Sequence, residues 1–273
     1  KAEIEELINN TPVDDFKTDS HNHNILKPHV VYDNGSVYLG EFSPNEEKRN
    51  GLGILLWEDK SKYKGQWKEN KPDGEGKYIY PNGDYFIGQW KDGKANGRGK
   101  FVHLNGSVYE GNWKNNFQDG EGVETFPDGS VYKGNFSNGQ KKGKGSFQWK
   151  DGATYEGEFD CNQINGVGIY IFNDKRKYTG EWKNNKMDGH GKFEWPDGRV
   201  YIGEYKEDKK DGEGEITWPD GRKYKGSWKN GRQNGEGLYY CPKKRVWKRG
   251  IWNNGKRIKW IDENVNIEEE KFI

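Results

Sequence analysis

The chain has 273 residues and a formal net charge of +1, with 39 glycines. Leu, Ile, Val and Phe number 8, 16, 12 and 12, too few for an ordinary aliphatic core, and composition alone points toward disorder. Twelve Trp, 16 Tyr and 12 Phe argue the reverse, so any core must be aromatic rings packed against glycine.

The balanced charge removes bulk electrostatics as a drive toward nucleic acid, and no nucleic-acid partner is expected. No apolar stretch approaches the roughly 18–20 residues of a spanning helix. Two cysteines are too few for a disulfide framework.

Residues 1–29 read as a polar N-terminal arm or linker, in which Glu3 to Asn9 has the makings of one or two helical turns. His21-Asn-His23 with His29 is the only histidine cluster. It lacks cysteine and a fixed frame, so a solvated linker is expected there and no metal.

From residue 30 the chain repeats. Gly40, Gly65, Gly88, Gly111, Gly134, Gly157, Gly180, Gly203, Gly226 and Gly250 are spaced by 25, then seven times by 23, then by 24. Each unit reads Tyr-x-Gly-x-Trp, six linking residues, Gly-x-Gly, an aromatic and a turn. The clearest is Tyr178-Thr-Gly180-Glu-Trp182, Gly189-His-Gly191, Phe193-Glu-Trp195, Pro196-Asp197-Gly198. Tyr63, Gly65 and Trp67 share one face of a strand, and Gly74, Gly76 and Tyr78 share one face of the next.

Pro-Asp-Gly and Pro-Asn-Gly are turn chemistry: proline presets φ, Asp or Asn bonds its own backbone, and glycine takes φ > 0. Each unit is thus a β-hairpin, and the array is an all-β, elongated, single-layered antiparallel sheet of about nine stacked hairpins. Each repeat advances roughly 9.5 Å at two strands per repeat. Pairing Gly65 with Gly76 places Tyr63 across from Tyr78 and Trp67 across from Gly74.

This motif set, from Tyr38 to about Gly255, resembles the MORN (membrane occupation and recognition nexus) repeat family. The array is expected over residues 30–255 with half-repeat caps, followed by a C-terminal tail, 256–273, that pairs onto the last strand or binds a partner. The resemblance implies a non-enzymatic scaffold for protein–protein assembly, cytoplasmic and cytoskeletal, as in the radial-spoke heads of the ciliary axoneme. Its partners would be other proteins of a large assembly or a second copy of itself.

Chemistry is sparse. Gly-x-Gly recurs nine times, but a strand follows it rather than a helix N-terminus, so it is no phosphate loop. Glu41, Glu158, Glu181 and Glu204 follow the repeat glycine as a surface column and do not converge. No catalytic residue, cofactor or metal is expected. Cys161 and Cys241 lie three repeats apart, roughly 28 Å, beyond disulfide reach.

Two surfaces carry functional expectations. Opposite the aromatic face, Val167, Ile169 and Ile171 form an apolar stripe, as do Leu52, Ile54 and Leu56, and Leu238 with Tyr240. With no second layer to cover them, these are candidate partner-binding patches. After the Trp position runs a lysine column, Lys68, Lys91, Lys114, Lys183, Lys206 and Lys229. It would suit a peripheral membrane adaptor making weak contact with anionic phospholipid, or serve only as a solvated guard against edge aggregation.

Overall fold

A computed structural model of the chain describes residues 24–265. The helical turns expected within Glu3–Asn9, and His21 and His23, lie outside the described residues. Among these there is no helix; twenty-one strands follow one another, β1 to β21 in chain order. They fall into two compact units divided between Gly139 and Gln140. The first holds β1 (Ile25–Val31) and the nine strands after it, the second the strands from Gln140 to Val265. Within each unit, consecutive strands pair antiparallel.

The hairpin of β4 (Lys62–Lys68) and β5 (Lys71–Ile79) shows the unit. Tyr63 pairs with Tyr78 and Gly65 with Gly76, as the alternation requires. Trp67, however, stands opposite Pro72 and not Gly74. The register slips between Gly65 and Trp67, where Gly74 turns to φ +104°, a β-bulge made at a left-handed glycine. Trp67 instead faces Gly51 of the preceding strand, β3 (Arg49–Leu56), and Gly74 faces Trp90 of the following one. The ring-over-glycine contact therefore joins successive repeats and does not close a single hairpin.

The six linking residues are also not a loop. Two of them, Glu69 at φ +50° and Asn70 at φ +68° in this hairpin, form a two-residue turn whose twist matches the strands. The rest are strand. At the opposite edge, Pro81-Asn82-Gly83 closes the expected wider turn, with the Gly83 amide donating to the Tyr80 carbonyl at 2.9 Å.

Sheet pairing runs beyond the bounds of 30 and 255 that the repeat suggested. Strand β1 begins at Ile25, and β21 (Lys256–Val265) pairs with β20 (Val246–Asn253), bringing Trp260 opposite Gly250.

One face of each sheet is lined with rings. The repeat tyrosines Tyr38, Tyr63, Tyr132, Tyr178, Tyr201 and Tyr224 are wholly buried. Tyr38, Tyr63, Tyr178, Tyr201 and Tyr224 each lie over the paired glycines of their own hairpin: a Cβ on Gly191 would sit 2.4 Å from Tyr178 Oη and Cε2. The phenol then donates to the carbonyl three residues on, as Tyr178 does to Glu181 at 2.9 Å. Tryptophans stand edge-on to the tyrosines, with Trp67 5.1 Å from Tyr63 and 5.5 Å from Tyr38. The indole N–H of Trp67, Trp90, Trp113 and Trp228 donates to the carbonyl of a repeat glycine 14 residues earlier. A single layer thus holds an aromatic core on one side in which these phenol and indole donors are satisfied.

Candidate protein-binding surface

Among the described residues, no layer covers the other face. In the second unit, β13 (Gln163–Ile171) lies between β12 (Thr154–Asp160) and β14 (Lys177–Lys183). It presents Val167, Ile169 and Ile171 at 58%, 36% and 38% exposure. Ile169 stands between Glu156 and Thr179, and Val167 opposite Glu181. These three residues make a stripe that a partner can reach.

Two of the other expected positions are closed. Ile54 is 1% exposed and Leu238 5% exposed, so neither is an accessible contact. Ile54 stands between Leu39 and Lys64, and Leu238 between Lys225 and Arg249. Leu52, Leu56 and Tyr240 are half-buried. The open face also exposes Ile87 and Ile202, which the repeat reading passed over. Both occupy the x of Tyr-x-Gly, where polar residues are the rule in this chain.

The carboxylate column does more than decorate the surface. Glu41, Glu158, Glu181 and Glu204 each accept the backbone N–H freed at the bulge, from Leu52, Val167, His190 and Glu213 at 3.1, 3.0, 2.9 and 3.2 Å. Gln66 and Gln89 do the same for Glu75 and Arg98, both at 2.8 Å. The signal was present as Glu or Gln one residue after the repeat glycine in six of the ten units, but its reason lies in the bulge.

Lys68, Lys91, Lys114, Lys183, Lys206 and Lys229 are all exposed at the two-residue-turn edge. Five of them face a second cation across the hairpin: Lys71, Lys94, Lys186, Lys209 and Arg232.

Titration behaviour is structural. Burial raises the repeat tyrosines, Tyr132 and Tyr155 to about 12. Burial moves an ammonium the other way, as at Lys62 and, to a larger extent, Lys210. Burial among Trp195, Tyr201 and Trp228, each ring within 4.9 Å of its ammonium, and then the Arg199 charge, bring it down to about 8. No cluster of metal-ligating side chains occurs among the described residues. Cys161 and Cys241 are both free thiols.

Comparison with known proteins gives the class. The MORN repeat model matches eight times, over residues 63–85, 86–108, 109–131, 132–154, 155–175, 178–198, 201–221 and 224–244. The chain therefore belongs to the MORN repeat family, whose repeats are non-enzymatic protein-interaction modules. The segment from Tyr38 to Lys62 precedes these matches yet shows the same tyrosine, glycine pair and bulge.

No curated protein matches the sequence. Among solved structures, the TCP10 domain of Danio rerio CPAP in complex with a STIL peptide is similar at 18% identity and TM-score 0.45. That match covers 88% of this chain and 98% of that one. The Drosophila melanogaster SAS-4 TCP domain, in complex with a proline-rich motif of Ana2, gives 15% identity and TM-score 0.36, over 57% and 86%.

Proposed function

We propose that this chain is a structural scaffold that mediates protein–protein assembly through its open sheet face, within a cytoskeletal structure of the cytoplasm such as the radial spokes of a ciliary axoneme. The observation that carries the binding role is the exposed Val167, Ile169 and Ile171 stripe on a sheet that has no second layer among the described residues. Burying such residues is worth about 25 cal/mol per Å², so an exposed set on a rigid strand is a ready-made contact. The cytoskeletal setting rests on the family resemblance.

The test is recovery of native partners on the purified chain, followed by Ile169→Lys with Ile171→Lys. Both positions face outward, so the circular dichroism spectrum should stay unchanged while the partner is lost. Undiminished binding would remove the stripe from the interface.

A second reading, a peripheral adaptor on anionic phospholipid, is favoured by the doubled basic edge. Like charges directly opposite one another destabilise a sheet, yet Lys68 with Lys71 and four equivalent pairs keep this arrangement. Anionic vesicles should then co-sediment with the chain at low salt and release it near 0.5 M, where screening is strong. Failure to sediment at low salt rules this reading out. No helix of the described residues is long and apolar enough to cross a membrane.

A further inference from the structure

The open face of the second unit carries a pattern beyond its apolar stripe. Following the position after each repeat glycine from β12 through β17 (Lys209–Thr217), the row reads Glu158, Val167, Glu181, His190, Glu204, Glu213. Beside it runs a second row with Glu156, Ile169, Thr179, Lys192, Ile202 and Glu215. Lys192 in that row is already held by Glu194 at 2.7 Å. Exposed isoleucine and valine thus lie along a predominantly acidic line.

The bulge hydrogen bond does not require the charge on that line, although Glu181 also lies 3.8 Å from His190 and Glu215 3.5 Å from Lys223. The same backbone task, accepting the bulge N–H, is done in the first unit by the neutral amides of Gln66 and Gln89 at 2.8 Å. Only one oxygen of each carboxylate is needed for it, and the Glu181 side chain remains 52% exposed. Glu158, Glu181 and Glu204 recur on every second strand, hence roughly 9.6 Å apart. A polyproline II segment repeats every three residues, at roughly 9.3 Å. The two spacings agree closely enough to stay in phase over three contacts.

We propose that this face takes an extended basic polypeptide laid across strands β12 to β17, with a cationic side chain at every third residue meeting Glu158, Glu181 and Glu204. Apolar residues between the cations rest on Val167, Ile169 and Ile202. This occupant deepens the scaffold reading, on which it rests, by giving the partner a chemistry and a direction.

The probe is a labelled peptide of four Arg-Pro-Leu triplets, titrated by fluorescence anisotropy into the full chain at low salt. A control peptide holds the same residues with its four arginines contiguous. The triplet peptide should bind at least several-fold tighter than the block. The combined variant Glu158→Gln, Glu181→Gln and Glu204→Gln keeps every bulge hydrogen bond and so keeps the fold. It should weaken the triplet peptide about tenfold, about 1.4 kcal/mol over the three pairs together. Equal affinity for the two peptides, or no loss in the glutamine variant, overturns the proposal. If native partners are lost with Ile169→Lys while the glutamine variant still binds everything, the scaffold reading stands and the basic occupant falls.

Discussion

The phenol of Tyr178 donates to the Glu181 carbonyl, whereas the hydroxyl of Tyr205, also buried, has no hydrogen-bond partner among the described residues. Tyr205 occupies the position that tryptophan fills in most repeats, and it cannot send an indole N–H to the glycine carbonyl behind it. Phenylalanine should therefore act oppositely at the two sites. Tyr178→Phe should lower stability by about 1 kcal/mol, and Tyr205→Phe should leave it unchanged or raise it, as read by urea titration.

Lys210 offers a pH test. Its folded value, about 8, lies below the ordinary 10.5, so the unfolded chain holds the proton more tightly. The penalty for burying the ammonium is complete below pH 8 and is relieved as pH rises from 8 to 10.5. Met187 fills the equivalent place one repeat earlier. Lys210→Met should thus raise the melting temperature at pH 7 and lose that advantage above pH 10.5.

At the level of the hairpin, the two-residue turn is the element under strain. Asn115, Asn184, Asn230 and Asn254 hold its first position at φ near +50°, but Glu69 and Glu207 hold the same angle. A left-handed conformation costs most residues roughly 1–2 kcal/mol and asparagine less. Glu207→Asn should stabilise the chain by several tenths of a kcal/mol, giving up only an exposed ion pair with Lys186 at 3.9 Å. The change would be measured as a shift in the denaturation midpoint.

Much of this element was legible in the sequence. Period-two alternation, Pro-Asp-Gly and the recurring tyrosine placed Gly65 opposite Gly76 and Tyr63 opposite Tyr78. The bulge was not legible, because Gly74 announces itself only as one glycine among many. Without it Trp67 was set against Gly74, a glycine of its own hairpin. The accessible patch was only half readable for a similar reason. Ile54 and Ile169 occupy the same place in the pattern, yet one is 1% and the other 36% exposed, a difference that the repeat alone does not encode.

For the molecule as a whole, the decisive property is that contacts within each unit run between neighbouring strands and neighbouring repeats. Stability in such arrays is a sum of local terms and nearest-neighbour terms, so damage should stay local. Gly191→Ala puts a methyl where Tyr178 lies, with contacts at 2.4 to 2.5 Å, and should destabilise by about 1–3 kcal/mol. Hydrogen exchange should show protection lost within roughly one repeat on either side and retained in the more distant strands of the same unit. Uniform loss through that unit would contradict nearest-neighbour behaviour.

The two edges of the strands are not equivalent. At the tight-turn edge, each turn hooks its amide onto the carbonyl of the preceding repeat: Asn70 to Arg49, Asn116 to Ala95, Asn185 to Ile164 and Asp208 to Met187, all at 2.9 or 3.0 Å. Asparagine or aspartate side chains there take a second amide back. At the Pro-Asp-Gly edge, most turns close upon themselves, as Gly198 does on Trp195 and Gly221 on Trp218. One margin is stitched and the other is loose. Foreign sequence spliced at residues 196–198 or 219–221 would disturb only the turn it interrupts, while the same insertion at residues 184–185 would undo the seam to the neighbouring repeat. The loose margin is where this architecture can acquire new loops, by evolution or by design, without rewriting the sheet.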